Sequence, residues 1–171
     1  MDAPTPLDDV VALTYQDLRA IAHRRLAARA RGGTLSTTAL VHEAYLKLSD
    51  HSRGQWRDAA HFLALASVAM RHVLVDRARE SAALKRGGER RRITLDEDIL
   101  AVEVQPDAIL QLDDALVRLA ALEPRLAKVL ECRFFGGLTE QETADALGVT
   151  VRTVQRDWVK ARVLLRRLLD A

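Results

Sequence analysis

Apolar side chains recur along this chain at helical spacing, and glycine pairs or polar loops interrupt them. A first helix is predicted from about Leu7 to Arg31, with Leu18, Ile21, Ala22 and Leu26 on one side and Gly32-Gly33 as its stop signal. A second starts near Ser36 or Thr37 and runs to Leu48, followed by the polar loop SDHSRGQW. A third covers about Asp58 to Leu84, with Phe62, Leu65, Ala69, Val73 and Ala78 along one side and Arg71, Arg77 and Arg79 elsewhere. Later in the chain, Asp113 to Leu122 and Pro124 to Phe135 read as helices, the latter opened by proline and closed by Gly136-Gly137. No convincing alternating strand is found, so the expected class is all-α.

The stretch from Leu138 to Leu169 carries the most local signals. Thr139 and Glu142 have the spacing of a capping box, which predicts a short helix ending at Leu147. Gly148 supplies a turn that needs positive φ, and Thr150 can cap a second helix. In that helix Val154, Trp158, Ala161 and Leu165 form an inward stripe, while Ala144 is small enough to let two helices cross closely. Helix, glycine turn and basic helix make a helix-turn-helix. Arg152, Gln155, Arg156 and Lys160 lie off the stripe, where they would face the major groove of DNA. The plain alternative is a helical hairpin with a solvated basic face.

Charge sharpens this picture. The chain's net charge is only +2, but its charges are segregated. Lys85 to Arg92 holds five bases and one acid, Asp96 to Asp114 seven acids and no base, and Thr150 to Leu169 six bases against Asp157 alone. Such basic faces suit nucleic acid. The glycine-punctuated segment where charge flips reads as a linker, which gives two small helical domains, 1–85 and 112–171, joined by a charged tether over 86–111. The single cysteine, Cys132, flanked by Val129, Leu130 and Phe134, reads as a core residue and fits a reducing cytoplasm. No secretory leader or membrane-spanning run is expected. The five histidines (His23, His42, His51, His61, His72) form no HExxH and no cluster at metal spacing, and no Walker loop, GxSxG or dinucleotide fingerprint occurs. Catalytic residues, metal and cofactor are therefore expected to be absent, with a metal-dependent enzyme the remote alternative.

The ordered set of motifs resembles the small bacterial RNA polymerase sigma factors of the extracytoplasmic function class. Gly148-Val149-Thr150, Thr153-Val154 and Ala161-Arg162 are similar to that family's promoter-reading helix, and Asp157-Trp158 to a subgroup of it. Leu40 to Leu48 resembles its "LVQE-F-K" helix, and Phe62, Arg71-His72 and Val75 to Arg79 its "F…RN…IDR-R" helix. The likeness extends over about Leu7 to Leu169. It implies that the C-terminal helix-turn-helix reads the -35 element through Arg152, Gln155, Arg156 and Lys160. It implies that the N-terminal domain melts and holds the -10 element, with Trp56, Arg57, Arg71, His72, Arg77 and Arg79 as the contacts. It further implies that Leu40, Glu43, Leu46 and Lys47 grip the clamp helices of the polymerase largest subunit, that the flap is a second polymerase contact, and that Asp96, Glu97, Asp98, Glu103 and Asp107 mimic nucleic-acid charge in the active cleft.

Two departures stand out. Leu65 and Ser67 occupy places where the family often has Trp and Tyr, and His72 replaces the usual Asn. Ser36-Thr37-Thr38-Ala39 stands where many relatives carry an acidic "DAED". Phosphorylation of Ser36, Thr37 or Thr38 would restore negative charge at a helix N-terminus, where it is favourable, although these hydroxyls also suit simple capping. The expected partners are core RNA polymerase and promoter DNA, with an anti-sigma factor or a Ser/Thr kinase as candidate regulators and no membrane. The nearer alternative is a stand-alone helix-turn-helix regulator, which needs no polymerase-binding domain.

Overall fold

The computed structural model describes residues 42–44, 46–48, 58–84 and 106–171 with their side chains, and the backbone of Thr5–Pro6 and Gln55–Trp56. The expected helix over Leu7 to Arg31, the start of the second helix and the basic and acidic parts of the tether up to 105 lie outside the described residues. Strands β1 (Thr5–Pro6) and β2 (Gln55–Trp56) pair antiparallel, with Thr5 opposite Trp56 and Pro6 opposite Gln55. The sequence predicts no strand, since two residues are too few to display an alternation. This contact leaves the all-helical class unchanged.

Helix α1 (Ala59–Leu84) starts at Asp58, whose Oδ1 accepts the His61 backbone N–H at 2.7 Å. That bond satisfies a donor that the first turn would otherwise leave open. Phe62, Leu63, Ala66, Ala69, Met70, Val73, Leu74 and Ala78 are buried along its broad apolar face. By length and composition α1 could cross a membrane, but half of its most apolar window is buried inside the protein, which is the pattern of a core helix. Residues 42–44 and 46–48 are helical, and Ala44 and Leu48 join the same core.

Helix α2 (Pro106–Leu122) begins several residues before the expected Asp113. Pro106 acts as a first-turn residue, where its missing N–H costs nothing, and Asp107 suits the positive end of the helix. Ala108, Ile109, Leu112, Ala115, Leu116 and Leu119 then hold a buried stripe. Helix α3 (Pro124–Leu130) passes into a π-helical turn, Glu131–Phe135, in which Gly136 N–H donates to Glu131 O at 2.9 Å. The wider turn carries Phe134 and Phe135 inward, edge to face at 5.0 Å between ring centroids. A Cβ on Gly136 would lie 2.0 Å from Ser67 Oγ, so only glycine lets α1 come this close.

Phe62, Met70, Leu116, Leu119, Leu126, Leu130, Phe135 and Leu138 are fully buried in one cluster that spans α1, α2, α3 and the π-turn. Each such side chain contributes roughly 1.5–3 kcal/mol by leaving water. At the edge of this core Arg71 of α1 donates through Nε to Asp113 at 2.7 Å and through Nη1 to Glu131 at 2.9 Å, and its guanidinium lies over the Phe135 ring. Burial alone would lower the arginine's proton affinity. The two carboxylates outweigh it and raise the pKa above the ordinary arginine value.

Candidate nucleic-acid interface

Helix α4 (Glu140–Leu147) and helix α5 (Val151–Asp170) form the hairpin that the sequence predicts. The capping box is complete: Glu142 N–H donates to Thr139 Oγ1 at 3.2 Å, and Thr139 N–H donates to Glu142 Oε2 at 2.6 Å. Gly148 has φ 65° and ψ 37°, the left-handed conformation that a side chain resists. Thr150 Oγ1 accepts from Thr153 N–H at 3.2 Å and so opens α5. Ala144 packs on Val154 and Val129 in a small cluster that fixes the crossing of the two helices.

The buried positions of α5 are Val154, Asp157, Ala161 and Leu165. Trp158 is half-buried beside this stripe, with the Arg133 guanidinium 5.3 Å from its ring centroid. Arg152, Gln155, Arg156 and Lys160 are all exposed, so the structure brings the four expected readers to one surface. Three of them are held by acids. Gln155 Nε2 donates to Glu140 at 2.8 Å, Lys160 Nζ to Glu123 at 2.9 Å, and Arg156 Nη2 to Asp157 at 3.2 Å. Asp157 also accepts from Arg125 of α3, with Nε at 2.6 Å from Oδ2. Burial would raise the Asp157 pKa, but the hydrogen bonds and charges of Arg125 and Arg156 prevail and hold it below the usual aspartate value.

The other expected contacts are dispersed. Arg71 is engaged by Asp113 and Glu131, as described. Arg77 bonds Glu43, which raises its pKa through that hydrogen bond and charge, and Arg79 lies 3.5 Å from Asp76. Lys47 reaches Asp76 at 2.9 Å. The expected polymerase contacts Glu43 and Lys47 thus bond to α1 itself, whereas Leu46 is 48% exposed and His72 is also exposed. Trp56 is seen only as backbone in β2, while Leu40, Arg57, Ser36, Thr37 and Thr38 lie outside the described residues. Sequence reading missed Asp157, Arg125, Glu123 and Glu140 as companions of the readers. Only Asp157 carried a signal, as the one acid between Thr150 and Leu169.

A helix-turn-helix with a basic, exposed second helix defines a DNA-binding protein. The model of the ECF sigma factor family matches residues 5–171, and the chain belongs to that family. It is a sigma factor, which directs RNA polymerase to promoters and catalyses no reaction itself. Comparison with curated proteins gave no match.

Proposed function

We propose that α5 reads the -35 element through Arg152, Gln155, Arg156 and Lys160. The observation that carries this reading is their common exposure on the second helix of a capped helix-turn-helix. Arg pairs with guanine and Gln with adenine in the major groove, each worth roughly 1–3 kcal/mol of discrimination. The N-terminal part, 1–85, engages the -10 element through Trp56, Arg57, His72, Arg77 and Arg79, and grips the polymerase clamp through Leu40, Glu43, Leu46 and Lys47. The sixth expected contact, Arg71, is instead held at the edge of the core by Asp113 and Glu131. The tether expected over 86–111 is shorter, because α2 already begins at Pro106 and buries Ala108 and Ile109. Residues 86–105 remain as the tether, and the segment from α2 to 171 carries the -35 reader and the flap contact. The protein acts in the cytoplasm. An anti-sigma factor, or phosphorylation at Ser36, Thr37 or Thr38, controls its access to polymerase.

The test is transcription from a promoter library by bacterial core polymerase with and without the purified protein. Protein-dependent transcripts that share two upstream motifs, with the distal motif altered by Arg152→Ala, support the assignment. A distal motif unchanged in all four single variants of the α5 readers sinks it. For the hydroxyl cluster, core affinity is compared between unmodified and phosphorylated protein, and equal values eliminate that switch.

A further inference from the structure

Two arginines from different helices meet on one carboxylate. Asp157 is only 2% exposed, yet it sits on the helix whose outer face carries the readers. Arg125 reaches it through Nε and Nη2, at 2.6 and 3.4 Å, and Arg156 through the same pair of nitrogens, at 3.3 and 3.2 Å. Both guanidiniums therefore bind with one edge and leave Nη1 uncommitted by Asp157. Their side chains are 56% and 68% exposed. Without the shared carboxylate, two like charges at this spacing would repel and both long side chains would sample many rotamers.

The segment that supplies Arg125 runs alongside α5. Glu123, two residues earlier, holds Lys160, one turn beyond Arg156. The start of α3 is thus tied to α5 at two successive points, and Arg125 stands beside the reading helix rather than on it. A helix in the major groove has phosphates along both flanks, and cations beside it meet the backbone rather than the base edges.

Resting on the reading of α5 as the -35 reader, we propose that Asp157 is its positioning residue. Its buried carboxylate aims Arg156 at a base and holds Arg125, from outside the helix-turn-helix, against a backbone phosphate. Arg156 then contributes sequence preference and Arg125 contributes affinity without preference. The lowered Asp157 pKa keeps the carboxylate charged across the neutral range, as this role requires.

The experiment uses holoenzyme assembled from the full chain and core polymerase, on a promoter library randomised through the -35 element, at two salt concentrations. Asp157→Asn is expected to lose roughly 5–100-fold of discrimination at the one position that Arg156→Ala also relaxes. Arg125→Gln is expected to weaken all sequences alike and to lower the salt slope by about one. A double-mutant cycle of Arg125→Gln with Arg156→Lys leaves Asp157 intact and covers a misfolded Asp157→Asn. Non-additive effects on promoter affinity support the shared carboxylate, and additive effects overturn it. Wild-type preference in a folded Asp157→Asn, or uniform weakening there with preference retained, also overturns it, the latter marking a purely structural staple. A wild-type holoenzyme indifferent to the -35 sequence would instead remove the underlying reading, and this inference with it.

Discussion

Arginine occurs on both α1 and α5, and the two helices use it in opposite ways. On α1, Arg71 is 16% exposed and spends its charge on Asp113 and Glu131 from the second half of the chain. On α5, Arg152 and Arg156 are exposed, and the only buried ionisable group is the aspartate behind them. The first arrangement turns a cation into part of the interior. The second turns a buried anion into a mount for surface cations. A basic residue on an amphipathic helix therefore says little about nucleic acid until its acidic neighbours are known.

The sharpest way to break this contrast is Arg71→Ala. It takes the clamping cation from two carboxylates that are each less than 15% exposed, leaving Asp113 with Arg79 at 3.9 Å, and should cost about 3–5 kcal/mol in denaturant unfolding. A loss under 1 kcal/mol would mean that the cation is not integral to the interior. Arg152→Ala is the counterpart on α5. It should leave unfolding unchanged within about 0.5 kcal/mol and cost roughly 1–3 kcal/mol at one promoter base, read by competition between promoters.

Alkaline pH probes the interior side through its one thiol. Burial first, then the Glu131 charge, push the Cys132 thiol from 9.0 up to about 12. The folded chain thus disfavours the thiolate, whereas the unfolded chain ionises near 9.0. The associated stability is fully present below pH 9 and is lost as pH rises toward 12, by about 1.4 kcal/mol at pH 10. The Cys132→Ala variant should lack that component of the slope in unfolding curves recorded from pH 8 to 10.5. The smallest effect belongs to the hairpin's cap. Thr139→Ala should cost about 1 kcal/mol, with faster amide exchange confined to the first turn of α4.

These two regions also differ in how legible they were. The hairpin is spelled by neighbours: Thr139 with Glu142 three residues on, Gly148 at the turn, and Thr150 before Thr153. Each signal acts within a turn of the residue it specifies, so the sequence displays it directly. The α1 seam depends on partners 42 and 60 residues away, and no local rule links Arg71 to Asp113 or Glu131. Pro106 reads as a breaker in isolation, yet it opens α2, because a proline's meaning depends on the residues that follow. The buried place of Asp157 was missed for a related reason. Charge predicts exposure, and only the approach of Arg125 from α3 reverses that.

The long reach of the Arg71 clamp has a consequence during synthesis. Glu131 lies 60 residues beyond Arg71, and a ribosome adding roughly 5–20 residues per second needs about 3–12 s to make that stretch. Asp113 is made 42 residues after Arg71 and can pair with it first, but the second carboxylate and the Phe135 ring that the α1 face will meet are still missing until the end of this interval. For those seconds the nascent chain carries an apolar face that the finished protein has closed.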